Sequence, residues 1–286
     1  MPSQAPAREL GPRPHALVTG ASAGIGRAFA CALAARNYNL VVTARRADRL
    51  EELARDLRDR HATETLVIAA DLAEPDAPKA IVDNVRAAGI DVAYLVNNAG
   101  YGIRERFLAT DWGTHARFLR VMVDSWLELT HRLAPAMVAN GHGRIVNVSS
   151  LASFAPEPPG SLYPAAKCLM TSASRSLRLS LLGTGVHCTA LCPGFTYTEF
   201  HDVLGAREAM NKLPKLMWQS ADDVVAAGIK GAERNAAVVI PGAFNKFAAV
   251  ACRFIPYALA HRMTPKAILE ESITSAGPGG ADRGKA

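Results

Sequence analysis

Seven short runs of apolar residues, separated by longer stretches with helical periodicity, constrain the fold of this chain most strongly. A continuous apolar run is typical of a strand that is covered on both faces. Strands that alternate with helices form right-handed crossovers, and the sheet that they build is parallel. No internal repeat interrupts the pattern, so we expect a single α/β domain. The runs occupy residues 16–18, 40–42, 66–68, 92–96, 145–148, 186–191 and 238–240.

The two ends of the chain differ in composition from the part between them. Residues 1–14 contain four prolines and no periodic pattern, which predicts a flexible N-terminal arm. The α/β domain is expected over residues 15–242, followed by an apolar helical extension over residues 243–274. Residues 275–286 are rich in glycine, and we expect a disordered tail there.

Composition and charge exclude several classes of function. The 286 residues carry a net charge of +6, but lysine and arginine alternate with acidic residues, which argues against nucleic-acid binding. The five cysteines form no C-x-x-C pair and the eight histidines show no ligand spacing, so we expect neither a disulfide nor a metal site. No signal segment and no apolar run of about 18 residues is found, and a cytoplasmic protein is expected.

A glycine-rich turn follows the first apolar run and precedes a helix that is expected to continue to about residue 36. Residues 19–26 have the spacing T-G-x-x-x-G-x-G. Gly20 allows a tight turn, while Gly24 and Gly26 let a pyrophosphate approach the backbone at the positive end of the helix dipole. Between a strand and a helix, this turn predicts a dinucleotide site rather than a structural turn alone. The other residues that we expect around the phosphates are Ser22, Ala23 and Ile25.

Two arginines, Arg45 and Arg46, follow the second apolar run, where a chain that binds NAD would carry an acid for the ribose hydroxyls. Guanidinium groups suit a 2′-phosphate instead, so the sequence predicts NADP(H) as the cofactor. The alternative is that one or both arginines simply begin the next helix at the surface. Asp71, after the third run, could accept a hydrogen bond from the adenine amino group or cap a helix N-terminus.

Tyr163 and Lys167 are four residues apart, which places a phenol and an ammonium group one turn apart on the same helix face. A phenol with its ordinary pKa near 10 exchanges protons poorly at neutral pH. A neighbouring ammonium group and an oxidised nicotinamide would both lower that pKa. Ser150 precedes the tyrosine by thirteen residues, and its hydroxyl could hold a substrate oxygen. Together the three residues predict a site of proton transfer.

With these motifs in this order, the chain resembles the short-chain dehydrogenase/reductase family, in its standard-length branch, over residues 14–242. The resemblance implies a Rossmann-type, doubly wound fold and hydride transfer between nicotinamide C4 and a carbonyl carbon. It implies that Tyr163 is the general acid/base, that Lys167 binds the nicotinamide ribose and lowers the tyrosine pKa, and that Ser150 orients the substrate oxygen. The family's cofactor site is also matched by residues 97–100, including Asn98, Ala99 and Gly100, and by residues 193–198, including Pro193, Gly194, Thr196 and Thr198.

The resemblance carries two further implications. Family members commonly form dimers or tetramers through helices that correspond to residues 112–140 and 161–183, so a homodimer or homotetramer is expected. The family also has an asparagine in the helix after the fourth strand, which helps to hold a water that links the lysine to solvent. Here Met122 occupies that position, and a thioether cannot donate as an amide does. A backbone carbonyl could still bind the water, or Asp124 or Ser125 could help.

The substrate side is apolar in sequence. Residues 195–218 carry many aromatic and aliphatic side chains, and the topology would place them as a lid over the nicotinamide. An apolar lid indicates a hydrophobic substrate, although the same residues could pack the lid's own underside. The apolar segment 243–257 leaves three alternatives open, namely contact with a membrane surface, contact with a partner subunit, or packing on its own domain. Packing on the domain is favoured.

These observations predict an NADP(H)-dependent enzyme that interconverts a hydrophobic ketone or aldehyde and its alcohol. The rival hypothesis is a non-catalytic NADP-binding sensor or scaffold, which the methionine at position 122 suggests. The complete serine, tyrosine and lysine set argues against the rival, because a sensor needs no proton-transfer group.

Overall fold

A parallel sheet of seven strands lies at the centre of the protein in a computed structural model, which describes residues 13–103, 107–155, 160–198 and 217–253. The strands among these residues, in order, are β1 (His15–Thr19), β2 (Asn39–Ala44), β3 (Thr65–Ala69), β4 (Val92–Asn97), β5 (Gly143–Val148), β6 (Val186–Leu191), β7 (Phe195–Thr196), β8 (Trp218–Gln219) and β9 (Val238–Val239). The sheet order is β3-β2-β1-β4-β5-β6-β9, and β7 pairs with β8 separately. The seven strands predicted from the apolar runs are confirmed.

Helices cover both faces of the sheet, which confirms the doubly wound, Rossmann-type fold. The helices of the described residues are α1 (Gly24–Ala34), α2 (Ala47–His61), α3 (Ala77–Ala87), α4 (Trp112–Leu119), α5 (Ser125–Ala139), α6 (Leu162–Ser180), α7 (Ala221–Glu233) and α8 (Ala243–Arg253). The amphipathic helices α1, α2 and α7 bury their apolar residues on one face, and α3 and α5 do so on the other. A π-helical segment (Arg120–Asp124) joins α4 to α5, and short 3₁₀ turns occupy Phe107–Ala109 and Leu151–Ser153.

The strand order reverses between β1 and β4, and this point of the sheet positions the site. In such sheets the crevice for a ligand lies beyond the carboxyl ends of the strands where the order reverses. Thr19, at the end of β1, ties the two sides together, because its Oγ1 accepts hydrogen bonds from the backbone N–H groups of Asn98 (2.9 Å) and Ala99 (3.0 Å). The glycine turn and residues 97–100 therefore meet at the reversal.

The helix α8 packs on its own domain, as the sequence favoured. Asn245 and Ala249 are buried, and Asn245 Nδ2 donates to the carbonyl of Pro241 at 3.0 Å. The outward side chains Phe247 and Val250 are 72% and 56% exposed. No helix within the described ranges is both long and apolar enough to cross a membrane.

Several predicted segments lie outside the described residues. These are most of the N-terminal arm (residues 1–12), the larger part of the lid (residues 199–216), residues 254–274 of the C-terminal extension and the tail at residues 275–286.

Candidate active site

The glycine turn has the geometry that a pyrophosphate site requires. Gly20 and Gly24 have φ values of +66° and +55°, which favour glycine, and a Cβ at Gly26 would overlap the carbonyl oxygen of Gly20. Asn98 Nδ2 holds the turn by donating to the carbonyls of Thr19 (3.0 Å) and Gly20 (3.2 Å). The helix α1 begins at Gly24, and its N-cap residue, Ala23, has no side chain that could cap the first N–H groups. Its first N–H groups therefore fit a phosphate.

Arg46 reaches the glycine turn. Its Nη2 donates to Ser22 Oγ at 3.1 Å, so a guanidinium group and a hydroxyl lie side by side beyond the carboxyl end of β2. Arg46 also directly precedes α2, as the surface alternative supposed, but its side chain turns toward the predicted phosphate site. Arg45 is exposed beside it. This arrangement fits a 2′-phosphate on the adenosine ribose.

Asp71 lies after β3 and is already engaged. Its Oδ1 accepts a hydrogen bond from the backbone N–H of Ala73 at 3.0 Å, and its Oδ2 pairs with Arg117 at 2.8 Å. The alternative in which Asp71 caps a helix is wrong, because α3 begins at Ala77 and has Asp76 at its N-cap. The carboxylate instead closes a local turn, and the adenine role of Asp71 stays a prediction.

Ser150, Tyr163 and Lys167 come together, as predicted. Tyr163 is the second residue of α6, and Lys167 lies one turn later with its Nζ 5.7 Å from the centre of the phenol ring. Ser150 follows the end of β5 by two residues, and its hydroxyl forms a hydrogen bond with the phenol of Tyr163. Leu151 N–H donates to the Pro193 carbonyl at 2.8 Å, which ties this loop to residues 193–198.

Burial shifts the pKa values of both titratable groups. Desolvation raises the pKa of the Tyr163 phenol to about 12, and the hydrogen bond with Ser150 opposes this shift. Desolvation also lowers the pKa of Lys167 to about 8, which the nearby Cys192 opposes. Lys167 is 4% exposed and its Nζ donates to the Val148 carbonyl at 2.7 Å. The sequence predicts that Lys167 stabilises the tyrosinate. In the folded protein this effect must offset the large cost of desolvating both charged groups.

Met122 is fully buried in the π-helical segment and contacts the cofactor side of the site. Its Sδ lies 3.4 Å from the backbone nitrogen of Tyr101 and 3.0 Å from where a Cβ on Gly100 would be. The Met122 carbonyl accepts a hydrogen bond from Trp126 Nε1 at 3.0 Å.

The two neighbours suggested as helpers each have a partner one turn earlier in the chain. Ser125 Oγ donates to the Val121 carbonyl at 2.9 Å, and Asp124 pairs with Arg120 at the surface. The help of Asp124 or Ser125 in holding the water stays a prediction.

Residues 193–198 reach the glycine turn from β6. Thr198 lies opposite Gly24, where a Cβ would come within 3.1 Å of its side chain. Thr196 is buried, and its hydroxyl donates to the Gly194 carbonyl at 3.1 Å, so this threonine closes its own turn. Gly194 is backed by Asn245 of α8, which leaves no room for a Cβ.

The sequence did not reveal the polar network beneath the site. Asn97 Nδ2 donates to Thr130 Oγ1 (3.0 Å) and to Asn147 Oδ1 (2.8 Å), and Asn147 Nδ2 donates to Ser174 Oγ (2.8 Å). The network joins β4 and β5 to α5 and α6, so it fixes the helix that carries Tyr163. His115, which lines a small cavity beside Tyr163, was missed as well, because the histidines were considered only as metal ligands.

Comparison with known proteins identifies the family. The sequence model described as short chain dehydrogenase matches residues 14–209. The chain belongs to the short chain dehydrogenase family. This short chain dehydrogenase is 37% identical over 188 residues to a sulfoacetaldehyde reductase of Chromohalobacter salexigens, which covers 64% of this chain and 72% of the relative.

Two solved structures share the fold of this short chain dehydrogenase. A short-chain dehydrogenase from Sphingobium yanoikuyae in complex with NADPH has a TM-score of 0.74 at 30% identity, covering 95% of this chain and 100% of that one. A bulky-bulky ketone specific alcohol dehydrogenase from Comamonas testosteroni has a TM-score of 0.71 at 28% identity, covering 89% and 100%. The chain is thus an oxidoreductase that acts on CH–OH or C=O groups with a nicotinamide cofactor, and the non-catalytic alternative is not favoured.

Proposed function

We propose that this short chain dehydrogenase is an NADP(H)-dependent carbonyl reductase or alcohol dehydrogenase for hydrophobic ketones and aldehydes. The observation that carries the proposal is the meeting of Ser150, Tyr163 and Lys167 at the mouth of a glycine turn that Arg46 also reaches. Each of these groups has a task in moving a hydride and a proton across a carbonyl bond.

The proton side of the reaction belongs to residues of this chain. When bound, the nicotinamide donates or accepts the hydride. Ser150 holds the substrate oxygen, and Tyr163 donates its phenolic proton to that oxygen in reduction or accepts the alcohol proton in oxidation. Lys167 favours the tyrosinate form through its positive charge and binds the nicotinamide ribose. The N–H groups of α1 would hold the pyrophosphate of the cofactor, and the arginines after β2 would hold its 2′-phosphate.

The choice of NADP(H) over NAD(H) rests on the end of β2. Arg46 and Ser22 present a cation and a hydroxyl together, and the relative from Sphingobium yanoikuyae was solved with NADPH. Titration of the purified protein with NADPH and with NADH, followed by nicotinamide fluorescence, tests this choice. We expect NADPH to bind at least about 10-fold more tightly, since one charge-assisted hydrogen bond contributes about 1.5–3 kcal/mol. Equal affinities would overturn it.

The hydrophobic nature of the substrate rests on the side chains around Tyr163. Ile103 and Leu162 are partly buried and pack in one apolar cluster with the tyrosine. Tyr197 stacks on Trp218, with ring centres 4.7 Å apart, on either side of the undescribed part of the lid. The alcohol dehydrogenase from Comamonas testosteroni is named as specific for bulky ketones, whereas the Chromohalobacter salexigens relative is named for sulfoacetaldehyde.

A panel of carbonyl compounds separates these two substrate classes. We expect NADPH-dependent reduction of acetophenone, benzophenone or cyclohexanone at a higher kcat/KM than that of sulfoacetaldehyde. Preference for the sulfonate would replace the hydrophobic substrate class by an anionic one and leave the roles of Ser150 and Tyr163 unchanged.

The helices α4 and α6 offer surfaces for pairing two copies of the chain. Trp112 of α4 and Leu169 and Leu179 of α6 are large apolar side chains with substantial exposure. A homodimer or homotetramer through these helices would cover them. Light scattering of the purified protein tests the assembly, and a monomer at micromolar concentration would contradict it. The same measurement with and without anionic lipid vesicles tests whether residues 243–257 touch a membrane surface.

A further inference from the structure

The side chain of His115 is buried beside the catalytic tyrosine with one ring nitrogen unused. It is 3% exposed, and its ring stacks on Phe107 with centres 4.7 Å apart. His115 Nε2 lies 2.9 Å from the Phe107 carbonyl oxygen. A carbonyl oxygen only accepts, so Nε2 carries the hydrogen and Nδ1 of the neutral ring is left as an acceptor. Within the described chain, Nδ1 has no hydrogen-bond partner.

A cavity of about 10 Å³ is lined by His115 and Tyr163 together with Ile103, Phe118, Gly160, Ser161 and Leu162. This volume is about the minimum that holds one ordered water. A buried acceptor that stays unpaired costs about 1–3 kcal/mol, which a water in the cavity would remove. The unpaired Nδ1 and the cavity are independent observations, and both indicate a bound water.

The other side of the catalytic tyrosine lacks the usual support for a proton path. Met122 stands where the family has an amide, its carbonyl is engaged by Trp126, and Asp124 and Ser125 are held elsewhere. Burial raises the pKa of Tyr163 to about 12, so the phenol needs a partner that takes and returns its proton.

We propose that His115 holds an ordered water against Tyr163 and that this water carries the proton between the phenol and His115 Nδ1. The inference rests on the proposed function. Before an alcohol is oxidised, the Tyr163 O–H bond breaks, the water takes that proton and passes one of its own to Nδ1, which leaves a phenolate and an imidazolium. The alcohol proton then goes to the phenolate as the hydride leaves with its electron pair for the oxidised nicotinamide, and the imidazolium returns its proton to the cavity water, which exchanges it with solvent. Reduction follows the same transfers in reverse.

Under this proposal His115 is a positioning residue. Two substitutions distinguish the effect of its acceptor nitrogen from the effect of its ring volume. His115→Phe keeps a planar ring and removes the acceptor, whereas His115→Asn offers an amide oxygen near the place of Nδ1. His142 provides a matched control, because its Nε2 is also buried and unpartnered in the described chain but precedes β5 at the opposite end of the strand. Thermal unfolding and NADPH titration of each variant report on folding and on the cofactor site.

Steady-state kinetics with NADPH and the best ketone of the panel, in H₂O and D₂O, test the proton path. We expect His115→Phe to lower kcat about 10-fold or more and to raise the solvent isotope effect on kcat, with KM and NADPH affinity little changed. His115→Asn can hold the water, but its amide oxygen cannot take a proton, so it should lose kcat as His115→Phe does, and His142→Asn should match the wild type. An unchanged kcat and isotope effect in His115→Phe would overturn the relay.

A crystal structure of the wild-type protein tests whether the cavity holds a water, and this test does not depend on enzyme activity. The proposal expects a water within about 3.2 Å of both His115 Nδ1 and Tyr163 Oη, and its loss in His115→Phe. A dry cavity, or a water that does not reach the phenol, would overturn the proposal even if the enzyme is active. Absence of turnover in the wild type with the water in place would instead count against the proposed function.

Discussion

The ammonium group of Lys167 lies 5.7 Å from the centre of the Tyr163 ring and donates to the Val148 carbonyl, so the charged group of the site is anchored on β5. The phenol needs a nearby positive charge to ionise, and the buried ammonium group needs a polar partner to stay charged. Several predictions of this arrangement can be measured.

Lys167 should make the stability of the cofactor-free protein depend on pH. Its pKa is lowered by burial from 10.5 to about 8, so between these values the unfolded chain binds a proton that the folded chain does not. Stability therefore rises with pH across that window, and below about pH 8 the folded state bears the full cost of the buried charge. We expect Lys167→Met to be more stable than the wild type at pH 7, by up to about 3 kcal/mol, with the gap closing by pH 10.5.

Urea unfolding of both proteins at pH 7, 9 and 10.5 measures that difference, and other titrating groups cancel because they are common to both chains. A stability difference that stays constant over this range would contradict the lowered pKa.

Arg46 should discriminate between the two nicotinamide cofactors. Its guanidinium group lies against Ser22 in the glycine turn, where a 2′-phosphate would meet it. We expect Arg46→Ala to weaken NADPH binding by about 10- to 100-fold and to leave NADH binding unchanged, because only NADPH carries that phosphate. Arg55→Ala removes the same charge from an exposed position farther along α2 and serves as the control. Equal losses of NADPH and NADH affinity would show that Arg46 supports the conformation of the glycine turn rather than the 2′-phosphate.

Gly26 should tolerate no side chain. A Cβ there would overlap the carbonyl oxygen of Gly20, so Gly26→Ala must displace the turn that receives the pyrophosphate. We expect the variant to fold but to lose measurable NADPH binding. Gly89→Ala is the comparison, because Gly89 has φ +68° and open space around it. An alanine there would be strained in its backbone without touching the glycine turn. Retention of NADPH affinity in Gly26→Ala would show that the turn is not the phosphate site.

The sheet and the glycine turn could be predicted from sequence because both are local patterns. Apolar runs mark buried strands, and the turn needs glycine at fixed positions whatever surrounds it. The contacts around the site were harder to predict because they join distant positions. Asn147 meets Asn97 across fifty residues, and nothing in the sequence near either asparagine indicates the other.

Side-chain direction was the other quantity that the sequence did not contain. Asp124 and Ser125 are next to the buried Met122 along the chain, yet one faces solvent and the other bonds to its own helix. His115 falls on an ordinary helical position. Only the folded structure shows that it lines a cavity with Tyr163 and that its Nδ1 has no hydrogen-bond partner in the described chain. The larger part of the predicted lid at residues 195–218, namely residues 199–216, lies outside the described residues, so its role over the nicotinamide stays a prediction.

Removal of the Tyr163 hydroxyl tests the proposed role of this residue in moving the proton during NADPH-dependent carbonyl reduction. The measurement is NADPH oxidation by wild type and Tyr163→Phe with the ketone panel, alongside NADPH titration of both proteins. We expect turnover by the wild type and a loss of at least about 100-fold in Tyr163→Phe, with NADPH affinity retained, because general acid catalysis contributes about 10²–10⁴-fold. Full activity in Tyr163→Phe would show that the phenol does not transfer the proton.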